Sequence, residues 1–281
     1  MTIKTINHSG WLKSLLFIPL LFISEVLSTI IVISLGYDIF NQGSSLNESV
    51  MLIQKSFSLV IVLILIWLFM KYIDKQKFID IGFQTKNRLK DFNYGILIGF
   101  LIMSSAFYIL LFIGEINYVG YSFNLENIFI SIMLFTGVSI FEEVIFRGYV
   151  LKNLLESFNP FVALFISSIF FSLIHGANPN VTILGLSNIF LAGFFLGISY
   201  VFTKNLWFPI ALHFSWNFFQ SMFGFKVSGL DSYSIIEFKI LENNYINGGE
   251  FGFESSILSL LIISTSTIFI WKYFKSVEKI S

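Results

Sequence analysis

Long apolar runs broken by short polar connectors fill the chain from end to end. A run of about 17–25 apolar residues is long enough to cross a bilayer as a helix. Eight such runs can be read: 14–35, 56–72, 94–114, 127–157, 161–177, 182–203, 206–224 and 255–272. The fourth exceeds a ~30 Å hydrocarbon layer by roughly half at about 1.5 Å per residue, which predicts tilt or protrusion. The first follows Lys4 and Lys13 as a signal peptide would, yet it contains Pro19 and Glu25 and no small-residue cleavage site follows it. It reads as a retained helix. The expectation is an all-α polytopic membrane protein, a bundle of about eight transmembrane helices.

Composition supports that solvent. Of 281 residues, 56% are hydrophobic and 12% charged, against about 25% charged in soluble domains. A net charge of zero gives nucleic acid nothing to bind. The absence of cysteine excludes disulfides, thiol nucleophiles and thiolate-held clusters.

Cation placement tests the count. Lys4, Lys13, the 71–90 group, Lys152, Lys204, Lys272, Lys275 and Lys279 fall on one side if eight helices start inside. The other side then holds Lys55, Lys226 and Lys239 in its loops, while Arg147 lies within a span. Such a bias marks the cytoplasmic face, so both termini are expected there.

Three parts follow: helices one to three over 1–126, a polar-bearing core over 127–224, and an outer loop with the last helix over 225–281. The basic loop 71–92 interleaves Phe78, Ile79, Ile81 and Phe83 with its cations, as a segment lying on an anionic leaflet would. Loop 225–254 is acidic and reads as solvated, with a lid as the lesser alternative.

Against this apolar background, "FEEVIFRGYV" at 141–150 stands out. An ionised side chain at mid-membrane costs roughly 2.5–3.5 kcal/mol, so Glu142, Glu143 and Arg147 must face the bundle interior and find partners. Glu143 and Arg147 share a helix face at i and i+4, whereas Glu142 lies about 100° around. A structural ion pair beside one protonated carboxyl is the plain reading. Of three histidines, His8 lies in the tail, His175 ends the fifth run, and His213 sits in the seventh one turn before Asn217. Helix-rise arithmetic permits Glu142, His175, His213 and Asn217 to meet at similar depths.

Such a meeting would supply a hydrolytic centre. Glu142 activates water, His175 orients it, His213 and Asn217 donate to the oxyanion, and Glu143 with Arg147 locks the helix. Alternatively, Glu142, Glu143 and His175 form the proton relay of a transporter, although the repeated broken helices of transporters are not visible. Ser172 and Ser215 read as structural. "GLSN" at 185–188 lacks the second glycine of a rhomboid-like serine motif, and no G-x-G-D aspartyl motif occurs.

"EEVIFRG", "FSLIH" and "HFSWN", in that order on separate apolar segments, resemble the CAAX-protease and bacteriocin-processing (CPBP, or Abi) family, relatives of the type II CAAX prenyl endopeptidase. The resemblance covers about residues 127–224. It implies an eight-helix intramembrane endopeptidase with a water-filled cavity and a membrane-associated protein or peptide substrate. Glu142 and His175 would activate water, His213 and Asn217 would hold the oxyanion, and Glu143 and Arg147 would support them. The family also hosts bacteriocin self-immunity and peptide-maturation roles. Both metal-dependent and glutamate-dependent mechanisms are ascribed to it. Zinc would take Glu142, His175 and His213, but no H-E-x-x-H occurs, and no obligatory metal is expected. A bacterial plasma membrane is the expected location.

Overall fold

The computed structural model describes residues 9–37 and 48–278. His8, Lys4 and Lys279, and with them both chain termini, lie outside these residues. Among the described residues the chain forms eight principal helices: α1 (Gly10–Ser34), α2 (Glu48–Asp74), α3 (Leu89–Phe112), α4 (Leu125–Ser157), α5 (Pro160–Ile174), α6 (Ile183–Thr203), α7 (Trp207–Met222) and α8 (Ile257–Glu278). The protein is an all-α polytopic membrane protein.

Local chemistry sets the helix starts. Asn124, Asn159 and Thr182 accept the N–H of Asn127, Val162 and Gly185, which satisfies free donors at the starts of α4, α5 and α6. Pro160 occupies the first turn of α5, where its missing N–H costs nothing.

Among the described residues, seven helices are long and apolar enough to cross a membrane, rather than the eight expected. The exception is α7, with 16 residues, or about 24 Å. It nonetheless joins the two ends of the bundle. Leu206, just before it, donates to the carbonyl of Gly82, while Met222 at its far end accepts from Ile235. Packed among α3, α4 and α6, α7 has a largely buried surface, so protein rather than lipid meets most of its length.

Close contact with α3 depends on small residues. A Cβ on Gly95 would lie 2.8 Å from that of Ala211, and one on Gly99 would lie 2.6 Å from Ser215 Oγ. Ser215 donates to the carbonyl of Ile96 and Ser172 to that of Leu186, so both serines bond a neighbouring helix.

Part of the basic loop docks on the helical bundle. Ile81 is fully buried, its carbonyl accepts from the Tyr200 hydroxyl at 2.9 Å, and Asn205 donates to the carbonyl of Gln84. Phe83 packs against Trp207 with ring centroids 6.0 Å apart, leaving Ile79 exposed. Protein thus covers most of the apolar side chains assigned to lipid.

The acidic loop also differs from a solvated connector. Its strand β2 (Ile236–Ile240) pairs antiparallel with β1 (Ile116–Tyr121), with Ile116 opposite Ile240. Glu48 accepts from the Tyr233 backbone and from Ser131, pinning the loop to α2 and α4. Lys55, expected in an outer loop, lies in the second turn of α2 because that helix begins at Glu48 rather than near residue 56.

Candidate active site

The fourth span, α4, is a single helix of 33 residues whose segment Val144–Leu151 is wound as a π-helix. Widened turns of this kind recur at functional sites. The last regular α-helical residues before it are Glu142 and Glu143, so the two acids stand where the helix changes pitch.

Glu143 is fully buried. Its Oε1 accepts from Arg147 Nη1 at 2.9 Å and lies 2.8 Å from His213 Nδ1. The other arm of Arg147 donates to the carbonyl of Gly193 at 3.2 Å, and its guanidinium lies 4.4 Å from the centroid of the Phe171 ring. Gly193 lets α5 and α6 close, since a Cβ there would stand 2.7 Å from the Ser168 side chain. Arg147 thereby ties α4 to α5 and α6, while Glu143 ties α4 to α7.

Glu142 faces elsewhere. Its Oε2 is buried and has no hydrogen-bond partner. It stands 3.8 Å from His175 Nε2 and 3.9 Å from His213 Nε2. Each imidazole is fixed by its other nitrogen: His175 Nδ1 lies 2.7 Å from the carbonyl of Phe171, and His213 Nδ1 faces Glu143. Both of those partners accept hydrogen bonds, so each Nδ1 carries a proton and each Nε2 is turned to the gap beside Glu142.

Glu142, His175, His213 and Asn217 all line one cavity of about 310 Å³. Helices α4, α5 and α7 thus bring together all four residues assigned to the chemistry. Glu143 and Arg147 stand behind them.

Three features went unread in the sequence. The first is the bond from Glu143 to His213, which spacing along a single helix does not reveal. The second is Glu254, in the loop before α8. It lines the same cavity, and its Oε2 accepts from both the N–H and the hydroxyl of Ser228, at 2.7 and 2.8 Å. Burial, the largest influence, raises the Glu254 pKa above the usual carboxylate value, opposed by the Ser228 hydroxyl and then by the charge of His175. Ser228 adopts φ +50°, an uncommon conformation for a residue with a side chain. The third is the Glu25–Lys55 pair on α1 and α2, which also lines the cavity.

The donor types here suit zinc. However, two ligands each about 2.0–2.1 Å from a tetrahedral zinc stand roughly 3.4 Å apart, and the separations of 3.8 and 3.9 Å are wider. Among the described residues no His, Asp and Glu group stands in metal-holding geometry. The residues as placed do not fit the ion.

Fold and site together define a polytopic helical bundle with charged and histidine side chains lining an internal cavity. Residues 124–219 match the family model for Type II CAAX prenyl endopeptidase Rce1-like. Over that segment, about a third of the chain, the protein is similar to these membrane endopeptidases. All six motif residues fall inside the match, whereas Glu25, Lys55, Ser228 and Glu254 fall outside it. Nothing matches among curated proteins or among solved structures.

Proposed function

We propose that this protein hydrolyses a peptide bond of a membrane-associated protein or peptide, with Glu142 as general base. The unpartnered Oε2 of Glu142, facing two imidazoles across a cavity, carries this reading. A water in the gap donates one hydrogen to Glu142 and another to His175 Nε2. As its oxygen bonds to the carbonyl carbon, Glu142 takes the proton. The developing oxyanion accepts from Asn217 and from His213 Nε2. His213 can donate there only as an imidazolium, because its Nδ1 proton is already held by Glu143. The adjoining carboxylate of Glu143, and that of Glu142 until it takes the water proton, compensate that charge. When the C–N bond breaks, Glu142 returns its proton to the leaving amine, so water is divided between acid and amine and the enzyme is restored.

The chemistry runs without an obligatory metal in this proposal. The basic end, where Lys13 meets Asp74 and Lys152 meets Gln76, faces the cytoplasm of a bacterial cell. Purified protein in lipid vesicles, given membrane-anchored peptides, tests the reading. Glu142→Gln and His175→Ala should each lower cleavage by about 10²–10⁴-fold, and the wild type should keep its activity in a strong chelator. Full activity in Glu142→Gln would overturn the assignment.

A further inference from the structure

Two charged side chains of the cavity wall form an ion pair that has no part in the hydrolysis. Glu25 on α1 and Lys55 on α2 line the same cavity as Glu142, His175 and His213. Lys55 Nζ lies 3.0 Å from Glu25 Oε2 and 5.7 Å from the ring centroid of Phe141, the neighbour of Glu142. The α1–α2 seam has other polar links, with Ser28 bonded to Ser58 and Gln54 to Thr29, each at 2.8 Å. Glu25 Oε1 is buried without a hydrogen-bond partner, and the Lys55 side chain retains 30% exposure. An ammonium has three donors. Charged groups on spanning helices are costly, and those facing a cavity mark sites for substrates or ions.

We propose that Lys55 is a carboxylate-binding subsite, which takes an acidic side chain or the chain terminus of the peptide lying beside Glu142. This rests on the peptidase reading above. Glu25 holds the ammonium in the absence of peptide, and its unpartnered oxygen accepts a main-chain N–H once peptide arrives. Around the pair, Leu21, Phe22, Met51, Leu134 and Phe135 form an apolar wall, where low polarity strengthens charge pairing. Asp231 and Glu254 also line the cavity, Asp231 paired with Lys226, and Lys55 is the one lysine or arginine of that lining among the described residues. A negatively charged end of the peptide is therefore directed towards α2, which fixes the direction in which the substrate lies.

Binding can be read apart from cleavage in Glu142→Gln protein reconstituted in lipid vesicles. Three fluorescent, N-acylated Leu/Ala decapeptides serve as probes: one with a free C-terminal carboxylate, one amidated, and one amidated with a single internal Asp. A charge-assisted hydrogen bond should favour one of the carboxylate probes over the amide by roughly 10–100-fold. Which probe is favoured separates chain terminus from side chain. In Lys55→Met that preference should fall to about one, and Lys55→Arg should recover it. Should Lys55→Met lose its fold, Lys55→Gln, which still donates to Glu25, reads the same ratio. A preference unchanged in these variants, or absent from the parent, overturns the proposal. Failure of the wild type to cleave any membrane-anchored peptide would instead sink the peptidase reading, and cleavage that persists in Glu142→Gln would sink its general base, each leaving the binding result intact.

Discussion

Adjacent carboxylates on α4 have different duties because a helix turns about 100° per residue. Glu143 points into packed protein and is committed through Oε1 to Arg147 and His213, whereas Glu142 lines the cavity with its Oε2 between two imidazoles. Their variants should therefore separate stability from catalysis. Glu143→Ala leaves a buried guanidinium with a carbonyl and an aromatic ring for company, and removal of one partner of a buried pair costs about 3–5 kcal/mol. Thermal unfolding in detergent should show that loss together with loss of activity. Asn217 lines the same cavity one turn beyond His213. Asn217→Ala should lower kcat by about 10²–10³-fold, the usual effect of one missing oxyanion donor, with the unfolding temperature held. A large drop in that temperature would make Asn217 a packing residue instead.

Helix existence was legible at the level of elements because bilayer thickness dictates run length, and each of the eight apolar runs became a helix. Pairing between elements was less so. "IEFKI" in the acidic loop alternates apolar and charged residues as a half-buried strand does, but its partner at Ile116–Tyr121 lies more than a hundred residues earlier. The six motif residues were readable because charge inside lipid demands a reason. Lys55 and Glu254 were not, since each sits where a loop was expected. Small residues at contacts were also silent in the sequence, and they carry a consequence here. Gly99→Ala would set a methyl 2.7 Å from Ser215 Cβ and 2.8 Å from the Trp216 nitrogen. Overpacking of this kind costs about 1–3 kcal/mol. Because α7 carries His213 and Asn217, activity should fall along with thermal stability. The loop before α8 has its own pH signature. Burial raises the pKa of Glu254 in the folded protein, so folding favours its protonated form. Its contribution is complete below the unfolded carboxylate value of about 4.3 and is lost as pH rises through the elevated folded value. Glu254→Gln should flatten this decline, measured as hydrogen exchange across residues 225–254 against pH. An unchanged slope would remove Glu254 from the account.

Over the whole molecule, the chain sorts its polar groups to two ends and one centre. Lys13, Asp74, Gln76 and Lys152 meet at one end, where the 71–92 loop also docks under Tyr200 and Asn205. Glu48, Ser122, Asn124 and Tyr233 meet at the other, beside the β1–β2 pair. Each end is joined by interactions between segments distant in sequence, so no single span can invert without breaking them. The orientation of the bundle is thus one choice for the whole protein, and the cation bias predicts that its basic end is cytoplasmic. Since the chain has no cysteine, single introduced thiols report that choice without background. Lys86→Cys, in the basic loop, should react with an impermeant maleimide only after cells are opened. Asn243→Cys, in the loop between β2 and α8, should react on intact cells. The opposite pattern would turn the bundle over and place the loop that carries Glu254 on the cytoplasmic side. Labelling of both positions on intact cells would mean that the shared-end contacts do not hold in the membrane, and with them the placement of α7 that sets His213 beside Glu142.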